Sequence, residues 1–175
     1  MRSSQAAACL VLVLSGITVA GCTAVPGGPV HWGSDGRDAD TLCSTVGVAT
    51  PMLVADVLEA PPGEQIEVID IEPVNPQRIE VSEIAIAPLD ADSASIGNSP
   101  IPPEDDLTSS IWNARRPVAG YELAPGDRAD VLVVAERTTD DPGSIENLRI
   151  RYRAGGIVYE KAASTFYLFA EDCAD

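Results

Sequence analysis

From Met52 onward the apolar residues come in short runs cut off by turns, and none sustains a helical period. Residues 52–58 are the first substantial run, stopped by Ala60-Pro61-Pro62-Gly63. In residues 65–72 the alternation sets Ile66 and Val68 on one face, then shifts phase to Ile69 and Ile71. Residues 78–87 repeat this with Ile79 and Val81, then Ile84 and Ile86. A β-bulge produces such a shift, because one extra residue turns every later side chain to the other face. The link Pro73-Val74-Asn75-Pro76 is short, which predicts that these two strands pair as neighbours, and its prolines end the ladder.

The second half is more regular. Residues 118–123 lead through Ala124-Pro125-Gly126-Asp127 into 129–136, where Val131-Leu132-Val133-Val134 suits a strand buried on both faces. A strand, a Pro-Gly turn and a strand predict a hairpin or a sandwich corner. Leu148, Ile150 and Tyr152 share one face of 147–153, and Gly155-Gly156 turns the chain back into 157–161 as a tight hairpin. Residues 165–170, with Phe166, Tyr167, Leu168 and Phe169, form a last central strand. The fold class is therefore all-β, an antiparallel β-sandwich of about seven to eight strands. The stretch LAPGDRADVLV at 123–133 is similar to the strand-corner-strand of immunoglobulin-like and cupredoxin-like modules, a resemblance that implies a fold class and no activity.

One segment breaks the pattern. Residues 88–117 carry five prolines (88, 100, 102, 103 and 117) with acids at 90, 92 and 104–106. The reading is a mobile, partly docked loop pinned by Ile111 and Trp112, the alternative being a short edge strand of its own. Trp112 is thus a candidate binding residue.

The start of the chain differs again. Arg2 precedes an apolar run from Ala6 to Val13, extended by residues 17–20, too short to span a membrane and typical of a secretory signal. It ends in Val19-Ala20-Gly21-Cys22, which resembles the lipobox of bacterial lipoproteins. The resemblance implies diacylglycerol on Cys22, cleavage before it and acylation of the new amino terminus. It places the protein at the cell membrane, lipid-anchored on the extracytoplasmic face. The expected organisation is a signal peptide at 1–21, lipidated Cys22 with a flexible tether at 22–42, and one sandwich domain at 43–175. His31 and Trp32 fall in the tether and read as solvated there.

Charge narrows the partners. The chain has 11 basic and 27 acidic side chains, and removing Arg2 with the signal leaves 10 − 27 = −17. Such a surface repels phosphate backbones and excludes nucleic acid as a partner. It also keeps the folded head off an anionic leaflet. Ten of the basic residues are Arg, and with many Ala, Val, Gly and Pro this points to a GC-rich, actinobacterial source.

Of four cysteines, Cys9 leaves with the signal and Cys22 takes the lipid. Cys43 and Cys173 remain, and an oxidising compartment favours a disulfide between them over a metal pair, for which no Cys-x-x-Cys spacing or nearby His exists. Closing so long a loop stabilises by roughly 4–5 kcal/mol on the chain-entropy view.

Catalytic patterns are lacking. His31 is the only histidine, there is no G-x-S-x-G and no Cys-His pair, so no catalytic residue is assigned. Copper fails on ligands, with Met52 alone available in the folded region. From Asp90 an EF-hand loop would need Gly and Glu where Ser95 and Ile101 stand, so no metal site or cofactor is assigned, although an irregular calcium site in 88–117 stays open. Arg149, Arg151 and Arg153 project from one strand face, ready either for an acidic ligand or for acids on adjoining strands such as Glu160. The expectation is a lipid-anchored binding or interaction module of the cell envelope, its partner an envelope protein or a small ligand. The alternative is a ligand or calcium carrier that uses 88–117.

Overall fold

The structure, a computed structural model, describes residues 24–33, 40–90 and 93–173. Cys22, the signal segment and Asp92 lie outside the described residues. The elements are β1 (Val25–Pro26), β2 (His31–Trp32), β3 (Thr41–Thr45), β4 (Met52–Glu59), β5 (Ile66–Val74), β6 (Ile79–Leu89), β7 (Asn98–Pro100), α1 (Asp106–Asn113), β8 (Arg116–Pro117), β9 (Tyr121–Leu123), β10 (Arg128–Arg137), β11 (Gly143–Ile145), β12 (Asn147–Ala154), β13 (Ile157–Ala162) and β14 (Phe166–Ala170). They form three mostly antiparallel sheets, ordered β1-β13-β12-β5-β9, β2-β4-β10-β6-β8 with β7 beside β4, and β11-β14-β3. The all-β sandwich read from the strand pattern is what the chain forms.

Both phase shifts are bulges. Against β12, Asp70 and Val68 oppose successive residues, so Ile69 is the extra one; against β10, Glu83 and Val81 do, so Ser82 is. Each bulge lets a strand keep apolar side chains on the core after the slip, as with Val68 and then Ile71. The β12–β13 hairpin closes through Gly155 and Gly156 at φ +54° and +81°, the left-handed pair that a two-residue turn requires.

The expectation that the strands of 65–72 and 78–87 pair as neighbours is corrected. β5 pairs with β12 and β9, whereas β6 pairs with β10 and β8 in the other sheet. Asn75 and Arg78 both take positive φ, at 47° and 53°, and turn the chain across the sandwich instead of back along it. The link from β9 to β10 is likewise a corner between sheets, not a hairpin.

The principal core lies between the sheets and holds Val54, Leu58, Ile66, Val68, Val131, Val133, Leu148, Ile150, Tyr152, Tyr167 and Phe169. A second cluster covers the outer face of the β4-β10-β6 sheet, where Leu53, Leu132 and Val134 meet Ile111, with Ile96, Ile101 and Trp112 packed around them. This explains why β10 is apolar on both faces. It also refines the reading of 88–117 as a mobile, partly docked loop: Ile111 and Trp112 do pin it, but β7, α1 and β8 lie in it, and it roofs the sheet. Asp105 caps α1, its carboxylate accepting the Thr108 N–H at 2.8 Å.

Residues 24–33 are the other correction. Val25–Pro26 runs parallel to β13, and His31–Trp32 pairs with β4. Trp32 is 0% exposed, so it belongs to the core and not to a solvated tether. Tyr152 Oη donates to the Gly27 carbonyl at 3.1 Å and accepts from Val30 N at 3.3 Å, while Lys161 Nζ donates to the Val30 carbonyl at 2.7 Å. Gly28 makes the approach possible, since a Cβ there would lie 2.7 Å from the Tyr159 ring.

Cys43 and Cys173 form a disulfide with Cα atoms 5.9 Å apart. It joins β3 to the segment just after β14, which pairs with β3 in parallel.

Candidate binding site

The edge of β4 carries an opening. One side of β4 is paired to β10 along its whole length. On the other side β7 pairs only with Met52–Val54, and β2 only with Leu58 and Glu59. Between them Ala55 N donates to the Gly97 carbonyl at 2.8 Å and Gly33 N to the Val57 carbonyl at 2.9 Å. A cleft of about 370 Å³ opens there, lined by Gly33, Asp40, Thr41, Leu42, Asp56 and Thr165 among others.

Asp56 is buried and well supplied with donors. Its Oδ1 accepts the Val57 N–H at 2.9 Å, and its Oδ2 accepts the Tyr167 hydroxyl at 2.9 Å. Burial nevertheless pushes its carboxyl above the usual range, opposed by the Tyr167 and Thr165 hydroxyls, the Val57 N–H and the Trp32 indole. Tyr167 in turn is pushed up, by burial first and by the Asp56 charge second. A Cβ on Gly33 would sit 3.2 Å from both Asp56 oxygens and from Thr165 Oγ1, so the glycine lets the backbone close over this cluster.

A second buried acid, Asp130, lies on β10 in register with Val57. Its Oδ2 accepts Ile96 N at 3.4 Å, and burial pushes its carboxyl up against the stabilising effect of Ser95, Ile96 and Arg128. Asp56 reaches Tyr167 in the principal core, whereas Asp130 reaches the segment over the outer face. The two acids therefore face opposite sides of one sheet and cannot flank a common substrate bond as a carboxylate pair must.

The residues singled out from sequence are scattered. Arg149 lies 3.3 Å from Glu72 and 3.9 Å from Glu160, and Arg153 is bonded to Glu67. Arg151 stands between Asp70 and Glu160 in the register. The arginine row is thus interleaved with acids from β5 and β13, which favours cross-strand pairing over an anion site. Trp112 is half-buried on α1, with the Arg115 guanidinium 3.6 Å above its ring and Arg115 Nε 2.9 Å from Glu83. Among the described residues no group of three or more His, Cys, Asp or Glu side chains is placed to hold a metal ion. A larger hollow of about 500 Å³ is lined by residues 116–122 of one short stretch and offers no buried polar group.

Sequence reasoning passed over Asp56. The available signal was its position, because Asp56 and Asp130 each interrupt a run that is otherwise apolar. A lone acid in such a run is either a strand edge or a buried polar contact.

No protein-family model and no curated protein matches the chain. Among solved structures it is similar to the VesB protease of Vibrio cholerae, at 6% identity and a TM-score of 0.43, over 81% of this chain and 31% of that one. A likeness of that degree carries no argument about activity. The chain spans less than a third of that protein's length.

Proposed function

We propose that the chain is a lipid-anchored binding module of a bacterial cell envelope, held at the extracytoplasmic face through Cys22 and catalysing no reaction. The observation that carries the binding role is the cleft at the open edge of β4. Its size falls in the range of ligand sites, and elements from distant parts of the chain converge on one buried carboxylate there. The Cys43–Cys173 bond supports the compartment, since such bonds persist outside the reducing cytosol.

A photo-cross-linking side chain at Thr41, on the rim of the cleft, tests the role in the native envelope. The expected result is a discrete adduct that the same group at Glu136 does not give. Equal labelling from both positions removes the cleft from consideration.

A further inference from the structure

We infer that one end of the sandwich, centred on Val25 and Ile157, rests directly on the phospholipid bilayer that carries the anchor. The inference deepens the reading of Cys22 as the lipidated residue and rests on it. Its structural basis is the docking of residues 24–33. A free tether of twenty residues would let the head wander, with a root-mean-square reach of roughly 25 Å. β1 is instead docked on β13, and only three peptide steps separate Cys22 from Val25. Fully extended, they span about 10 Å.

The direction of the anchor follows from register. β1 is parallel to β13, with Val25 opposite Tyr159, so the chain enters β1 at the end of the sheet where Gly155-Gly156 turns. The turns at 60–65 and 124–127 share that end, because Ile66 pairs with both Ala154 and Leu123. Across these three turns the only charged residues are Glu64 and Asp127, with Glu59, Asp90 and Arg128 at the same end of the β4-β10-β6 sheet. Val25 and Ile157 are 46% and 48% exposed, two of the four large apolar side chains left open among the described residues. A third, Val48, bridges to Arg137 at the opposite end. A short covalent leash, a nearly uncharged set of turns and two apolar side chains therefore coincide. Bilayer contact covers the apolar pair, and acids that stand more than the roughly 8 Å screening length from the surface feel little repulsion from it.

The lipidated full-length protein in phosphatidylcholine vesicles provides the test, with p-benzoylphenylalanine at Ile157 or at Val48. After irradiation, intact mass should show phospholipid adducts from position 157 in about tenfold excess over position 48. Inserting a twenty-residue Gly/Ser linker between Ala24 and Val25 should bring the two positions together. Diacylated protein that floats with the vesicles yet labels equally from both positions overturns the orientation and leaves the anchor standing. An intact mass without acyl chains overturns both. A preference for 157 that survives the linker overturns the short leash as its cause.

Discussion

The Tyr167 hydroxyl meets Asp56 Oδ2 at 2.9 Å, a bond that ties β14 to β4 through the interior. Tyr167→Phe removes a donor from a buried carboxylate and leaves the ring packing intact. It should cost about 1–3 kcal/mol in urea unfolding at neutral pH. The loss should shrink in acid, where the carboxyl is protonated and demands fewer donors; an equal loss at both pH values contradicts this account.

The two buried acids set an unusual pH response. Burial raises both carboxyls above the ordinary aspartate value of 3.8. Between 3.8 and the raised value the folded state holds more protons than the unfolded one, so stability from these groups is full below 3.8 and lost as pH rises through the folded value. Asp130→Asn should therefore flatten the fall in unfolding free energy between about pH 4 and neutrality. Parallel wild-type and variant curves over that interval would remove Asp130 as the cause.

Ile111 pins α1 onto Leu132 and Val134. Ile111→Ala should lower stability by about 2–4 kcal/mol, read as a shift in denaturation midpoint. Replacing residues 90–106 by a Gly/Ser linker should be worse, because it bares the outer face of the sheet. A folded, soluble deletion would show the roof to be dispensable.

Cysteine chemistry gives two outcomes. Cys22→Ala should yield protein without acyl chains by intact mass and without partition into detergent; a lipidated product contradicts the assignment. Reducing Cys43–Cys173, or replacing either residue, should cost about 2–5 kcal/mol in unfolding free energy.

Strand-level structure was legible wherever one side-chain period persisted. Leu148, Ile150 and Tyr152 alternate into the core as their spacing indicates, and the bulges at Ile69 and Ser82 are visible as phase shifts. Pairing between strands was less so. The crossing at Asn75–Arg78 depends on two left-handed residues that are not glycine, which local composition does not announce. Helix α1 buries only Thr108 and Ile111, one turn apart, so it shows no sustained period. Its cap, Asp105, looked like one more acid in an acidic stretch. β1 and β2 are two residues long and have no period at all, and Trp32 is buried by partners far along the chain, Asp56 among them. The cleft was illegible for the same reason, since residues 33, 40–42, 56 and 165 meet only in three dimensions.

The bond between Cys43 and Cys173 also changes what a cut does. A protease that opens any turn between those positions produces two pieces that remain covalently joined near β3. Under the lipid anchor proposed for Cys22, the carboxy-terminal piece stays tied to the amino-terminal one and is not shed. Damage to an exposed turn then leaves a nicked molecule in one covalent piece, and separating the fragments requires a reductant as well as a protease.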